Sequence, residues 1–349
     1  MMAASADSLH PWAWWLWALG AAAAASLTTN PLTLLLLVLA VSAVVLLRRS
    51  DAPWARSLRA YFVLAGFVLG IRLTFAVLMG LPMGTHVLFS LPEIPLPEWA
   101  AGIRLGGDVT LEGLLFTLYD SLRLAAMLVC LGAANALANP RRALRSVPAA
   151  LYEASVAIVI ALSVAPQLVA SGQRVMRARR LRGSNERGLR ALPSVVIPVL
   201  ADAVERSMAL ATSMEARGFG HSRRPGTGPL VLVVGAMASL TLGTYLVLGS
   251  PAAGLGTGCL AVGAVGAVAG LRASGKALTV SRYRPNVWSW QAWLVGVSGL
   301  VAAGCVLATS WGLAHPSTDP PEWPALAPLS LVAAALLAAP LLLTTREPA

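Results

Sequence analysis

The sequence predicts an all-α, polytopic helical membrane protein of about eight spans, with one basic cytoplasmic domain set among them. Three observations carry this. Of 349 residues, 57% are hydrophobic and only 12% are charged. That is about half the charged share of a soluble globular chain, too little to cover a water-facing surface of this size. Apolar runs of the roughly 20 residues needed to cross a hydrocarbon core recur towards both ends of the chain. The loops between those runs alternate in charge.

The runs cover 12–28, 31–47, 58–79, 110–138, 229–249, 253–271, 290–312 and 325–344. The first two are separated only by Thr28, Thr29 and Asn30, a tight hairpin or a partly re-entrant pair whose turn carries no charge. The loop after the second run holds Arg48, Arg49, Arg56 and Arg59 against Asp51; the next holds Glu93, Glu98 and Asp108 against Arg104. Segment 139–228 carries fourteen arginines and five acids. The loop after the sixth run has Arg272, Lys276, Arg282 and Arg284, and the one after the seventh has Asp319 and Glu322. Lys and Arg accumulate on cytoplasmic loops, so both termini and 139–228 are expected in the cytoplasm of a bacterial cell. The chain then divides into N-terminal spans (1–138), a cytoplasmic segment (139–228) and C-terminal spans (229–349).

The formal net charge of +11 is thereby a topology signal, and no nucleic-acid partner is expected. The run Trp12–Leu19 lacks the basic flank of a signal peptide and is expected to remain. Trp12, Trp14, Trp15, Trp17, Trp288, Trp290 and Trp293 stand near span ends, as interfacial anchors do. Gly66/Gly70, Gly254/Gly258 and Gly266/Gly270 are small-xxx-small pairs suited to close helix packing. Cys130, Cys259 and Cys305 are far apart in apolar runs and predict neither a metal site nor a disulfide. His10, His86, His221 and His315 are scattered in loops, none at helical spacing from another metal ligand. No cofactor is expected.

Charges inside the runs are costly and informative. Arg72 falls in the third, Asp120 and Arg123 in the fourth, and Arg72 with Asp120 is the expected structural pair. Gly270–Lys276 fits G-x-x-x-x-G-K. It lacks a preceding strand, and Ala277 offers no hydroxyl for magnesium, so it is not read as a nucleotide site.

Segment 139–228 holds three helical stretches: Leu144–Ile160, one from about Ala165 or Pro166 to Arg182, and Pro193–Arg217, with Pro198 bending or starting the last. Ala154–Val169 is apolar enough to enter the membrane; an interfacial helix is preferred, because a crossing would break the charge alternation. Ile197, Leu200, Val204, Met208 and Ala211 form one apolar face of the third helix. Asp202, Glu205 and Arg206 lie off it, Asp202 and Arg206 as an i, i+4 pair. Two Arg-Gly ends, Arg182–Gly183 and Arg217–Gly218, follow 35 residues apart. They read either as ordinary glycine-capped ends or as arginine tips offered to a partner.

The stretch Ala178-Arg-Arg-Leu-Arg-Gly183 and the run Ser207–Phe219, ending Met-Glu-Ala-Arg-Gly-Phe, resemble the coupling region of EcfT. This is the transmembrane T component of energy-coupling factor (ECF) transporters, with the cobalt-uptake relative CbiQ. The resemblance is strongest over 139–220; Leu181 departs from the usual Ala, and Ser163 and Ala170–Ser171 stand where relatives often carry charge. It implies that Arg182, Gly183, Glu215, Ala216, Arg217 and Gly218 dock two ABC-type ATPase subunits. It implies further that the apolar face couples their motion to a small membrane S component, which captures a vitamin, cobalt or nickel. The chain would then be no enzyme itself. A self-contained secondary transporter would call for repeat symmetry between halves, which is not seen. A membrane enzyme would call for clustered ionisable groups, and a scaffold would use the same helices for docking alone.

Overall fold

Uncharged runs rich in Leu, Ala and Val can satisfy their backbone N–H and C=O groups in an apolar medium only by folding as helices. The structure, a computed structural model, describes residues 4–5, 9–48, 57–80, 83–94, 105–146, 152–182, 192–218, 227–249, 253–276 and 287–345. In chain order these form β1 (Ala4–Ser5), α1 (Pro11–Ser26), α2 (Pro31–Arg48), α3 (Ser57–Met79), β2 (Val87–Ile94), β3 (Leu105–Thr110), α4 (Leu111–Leu137), α5 (Pro140–Arg145), α6 (Tyr152–Leu181), α7 (Leu192–Ala216), α8 (Thr227–Gly249), α9 (Ala253–Lys276), α10 (Trp290–Leu307), α11 (Trp311–Ala314), α12 (Pro328–Ala338), α13 (Pro340–Leu343) and β4 (Thr344–Thr345). The chain is thus an all-α polytopic membrane protein, with only two two-stranded sheets among the described residues.

Seven described helices are long and apolar enough to cross a membrane: α2, α3, α4, α6 from Ala154, α8, α9 and α10. Six of them coincide with expected spans. The seventh is α6, in the segment expected at the interface. The first and last expected spans are short helices, with α1 of 16 residues and α12 of 11. From Tyr152 onward the two expected stretches 144–160 and 165–182 join in one continuous helix, α6, with Pro166 inside it, while Leu144 and Arg145 belong to α5. A proline removes a single ladder bond, and an apolar setting makes abandoning the remaining bonds far more costly. Pro198 likewise lies inside α7.

Contacts divide the chain into Met1–Ala143 with Asn286–Ala349, and Leu144–Pro285. This differs from the linear division of the sequence, because the last helices return to the first. In the first unit α1 is the centre, packed on α10 and α4, while α2 lies against α4 and α12, and α3 against α4. Trp14 and Trp17 are fully buried and meet edge to face, with ring centroids 5.9 Å apart. They are core residues, not the interfacial anchors expected, whereas Trp12 is 43% exposed. The α1–α10 crossing is a backbone contact. A Cβ placed on Gly20 would sit on the Gly299 carbonyl, 2.5 Å from its oxygen and 2.7 Å from the Leu300 nitrogen.

Helix ends assigned to one side by the charge alternation meet each other. On one side β1 pairs in parallel with β4, Arg48 Nη2 donates to the Leu341 carbonyl at 2.6 Å, and His10, the N-cap of α1, stacks on Trp288 at 4.6 Å. On the other, the buried Asn30 caps α2 through Oδ1, which accepts from Leu32 N at 3.0 Å. Its Nδ2 donates to the carbonyls of Leu313 and Ala325 at 2.9 and 2.7 Å, and Thr28 Oγ1 donates to Ala314 O at 2.6 Å. The uncharged turn 28–30 is therefore a hydrogen-bonded hairpin, anchored to the chain after α10. The antiparallel β2–β3 pair precedes α4 on this side.

In the second unit α6 packs on α7, and α8 on α9. Gly256, Gly263 and Gly270, seven residues apart, admit Val247, Leu240 and Val233 of α8; a Cβ on any of them would come within 2.7–2.8 Å of those side chains. The expected Gly254/Gly258 and Gly66/Gly70 pairs meet nothing within 4 Å. Gly270–Lys276 is the last part of α9, with helix α8 before it and no strand.

Candidate partner-docking site

Helices α6 and α7 each end in an arginine. At the end of α6 the Arg182 N–H donates to the carbonyls of Ala178 and Arg179, both at 3.1 Å. Its side chain is exposed beside Leu181, which is 90% exposed. Gly183 lies outside the described residues. At the end of α7, Arg217 N donates to Met214 O at 3.1 Å and Gly218 N to Glu215 O at 2.8 Å. Gly218 takes φ 77°, a left-handed conformation that glycine adopts without a Cβ penalty. Glu215, Ala216 and Arg217 are exposed, so this tip presents a guanidinium and a carboxylate on a short capped turn.

The expected apolar face is open: Ile197, Leu200, Val204 and Met208 are 65, 60, 55 and 65% exposed, and Ala211 is exposed with them. The other side of α7 meets α6. Asp202 is the centre of that contact. It accepts from Ser171 Oγ at 2.6 Å, and Arg206 grips both its oxygens, Nε at 2.8 Å and Nη2 at 2.9 Å. Arg206 Nη1 also reaches Gln167 Oε1 at 3.4 Å, and Arg174 stands 3.9 Å from Asp202. The Ser171 hydrogen bond, the largest effect, holds the Asp202 carboxyl below its ordinary range against the opposing effect of burial, with further lowering by Arg206 and Arg174. The i, i+4 pair was legible in the sequence; the tie to α6 was not. Its signal is Gln167, Ser171 and Arg174, spaced four and three on one face of an apolar helix.

Elsewhere, Arg72 Nη2 meets Asp120 Oδ2 at 2.6 Å, as expected, and Arg123 Nη2 holds the other oxygen at 2.5 Å. His10 is buried and His86 lies 2.5 Å from the buried Glu112, so neither is a simple surface histidine. His315 stacks on Trp311 at 3.9 Å, and His221 lies outside the described residues. No group of three or more His, Cys, Asp or Glu is placed to hold a metal among the described residues.

Seven helices long and apolar enough to span, together with exposed, arginine-tipped ends on α6 and α7, define a multi-pass membrane protein with a candidate docking surface. Residues 5–227 match the family model CbiQ, described as cobalt transport protein, and the chain belongs to that family. Over 199 residues it is 25% identical to the energy-coupling factor transporter transmembrane protein EcfT of Leuconostoc gelidum subsp. gasicomitatum, covering 52% of this chain and 67% of that protein. The matched region ends at the start of α8, so α8–α13 lie beyond it.

Proposed function

We propose that this chain is the transmembrane coupling subunit of an ECF-type importer in a bacterial cell membrane, passing ATP-driven motion of two ATPase subunits to a small substrate-binding membrane subunit. The observation that carries this is the pair of exposed arginine tips, Arg182 and Arg217, on two helices tied to each other through Asp202. Each guanidinium offers a rigid fork of donors suited to carboxylates or backbone carbonyls, and Gly183, Glu215, Ala216 and Gly218 complete the docking turns. Asp202 makes α6 and α7 move as a pair, so displacement at the tips reaches Ile197, Leu200, Val204, Met208 and Ala211, which contact the substrate subunit. The termini and the arginine tips face the cytoplasm, where ATP is available. The cargo is a micronutrient, a vitamin or cobalt or nickel, selected by the partner.

The test is a pull-down of tagged chain from its native membrane in mild detergent, with mass spectrometry of what accompanies it. Two ABC-type ATPase subunits and a small membrane protein are expected with the wild type. The ATPases are expected to be lost from the Arg182→Ala/Arg217→Ala variant, together with uptake. Undiminished uptake by that variant would refute the docking role, and uptake by the chain purified alone would make it a secondary transporter.

A further inference from the structure

Two guanidinium groups share one carboxylate between α3 and α4. Arg72 and Arg123 each hold an oxygen of Asp120, so the cluster carries one surplus positive charge. Both arginine side chains are 34% exposed and Asp120 18%, so the surplus faces the outside of the unit. At 1.5 Å per residue, Arg123 lies about 18 Å from the first residue of α4 and about 21 Å from the last. Arg72, about 10 Å from the last residue of α3, is nearer one side, whereas Arg123 is mid-helix, beyond the reach of a side chain to either headgroup layer. An unpaired charge at this depth is costly. The surface around it is apolar and open. Phe75, one turn from Arg72, is 56% exposed, and Phe116, one turn from Asp120, is 47% exposed. Val63 and Phe67 continue the same open face of α3 at 66 and 62%.

We infer that this face receives a transmembrane helix of a partner subunit, whose Asp or Glu joins Asp120 between Arg72 and Arg123 and brings the cluster to neutrality. The occupant follows from the charge. A lipid phosphate does not lie at mid-membrane. A second copy of this chain has no carboxylate to give at that depth: within the seven apolar spans and in α1 and α11–α13 the only acids are Glu112, which is buried, and Asp120 itself. The inference rests on the proposed assembly, from which it draws its membrane partner, and adds to it a contact remote from α6 and α7 in sequence.

The test uses the full chain co-expressed with its partner subunits, with a benzophenone amino acid replacing Phe75. Ultraviolet capture of the small membrane subunit is expected, at a peptide containing Asp or Glu. Arg123→Gln leaves the Arg72–Asp120 tie between α3 and α4 in place and removes the surplus charge; capture should fall about tenfold, while the melting temperature stays near wild type. Replacing the partner's carboxylate by its amide should lower capture by the same factor, and combining the two changes should add nothing further. Adducts only to phospholipid or to residues 144–285 of the same chain would overturn the inference. So would a captured peptide without a carboxylate, or capture unaffected by Arg123→Gln. Absence of ATPases from the wild-type sample would overturn the proposed assembly instead, while capture at position 75 still decides this one.

Discussion

The α1–α10 crossing permits a paired test of what holds the first unit together. In Gly20→Ala the new methyl meets backbone on the facing helix, the Gly299 oxygen at 2.5 Å and the Leu300 nitrogen at 2.7 Å. No flexible side chain is there to swing aside. Ordinary carbon contacts need about 3.5 Å, so the helices must part by about 1 Å. The parting is felt along a core that includes Trp17, Ala21 and Ala302. Overpacking of this kind costs about 1–3 kcal/mol, and a unit of this size loses about 2–4 °C of Tm per kcal/mol. Gly66→Ala on α3 is the matched control, since nothing lies within 4 Å of the added methyl. Replacing an open helical glycine by alanine stabilises by up to about 1 kcal/mol. Thermal unfolding of the detergent-solubilised chain, followed by size-exclusion of what stays monodisperse, should put Gly20→Ala about 2–12 °C below wild type and Gly66→Ala at or above it. A Gly20→Ala protein as stable as wild type would refute the crossing, and a destabilised Gly66→Ala would refute the open face of α3.

Asp202→Asn should leave the ATPases bound but lower uptake per ATP hydrolysed, because Arg206 loses its bidentate partner and α6 its tie to α7. The Asp202 carboxyl is held below its ordinary range, so its contribution is complete above about pH 4 and is lost as pH falls through the folded-state value. The distance between spin labels attached beforehand to α6 and α7 should therefore separate wild type from Asp202→Asn at neutral pH and not in strong acid. Asn30→Ala removes the α2 cap and leaves the Leu313 and Ala325 carbonyls without their Nδ2 donors; about 2–4 kcal/mol should be lost, read as a lower Tm. Excising α8–α9 (residues 227–276) should leave the first unit monodisperse, whereas removing residues 287–349 strips α10 from α1 and should aggregate it, even though both deletions, but for Thr227, lie outside the matched region 5–227.

Much of this protein was legible because charge is scarce in it. The loop charges alternate, which groups the helix ends into two sets, and ends that meet belong to the same set, as His10 with Trp288 and Asn30 with Leu313 do. Arg72 and Asp120 were legible as a pair for the same reason: each is too costly to stand alone in an apolar helix. The end of α7 was legible from Glu-Ala-Arg-Gly, and Gly218 is left-handed there. The join of 144–160 to 165–182 was not, because Pro166 and Gly183 look alike as punctuation. Only the apolar context decides that a helix runs through the proline.

Apolar contacts were the illegible part, and the physics says why. In water a helix shows which face is buried, because its other face is polar. In a bilayer the lipid-facing side is as apolar as the packed side. Trp14 and Trp17 in the core thus carry the same sequence signal as the exposed Trp12, and Gly66, open, the same signal as Gly263, packed. Polar side chains inside apolar runs escape this degeneracy where they pair across helices, because an unpaired polar group in an apolar medium is costly. Asn135 Nδ2 donates to Tyr61 Oη at 2.6 Å between α4 and α3, Thr33 Oγ1 to Ser330 Oγ at 3.2 Å between α2 and α12, and Ser171 to Asp202 between α6 and α7. Taken together with Arg72 and Asp120, which mark the α3–α4 neighbours a second time, these pairs identify three of the helix neighbours in the fold without any appeal to hydrophobic pattern. For a chain of this kind the rare polar residue is the better guide to which helices touch, and the surplus guanidinium at Arg123 is informative because it is the member of that set whose charge stays unbalanced.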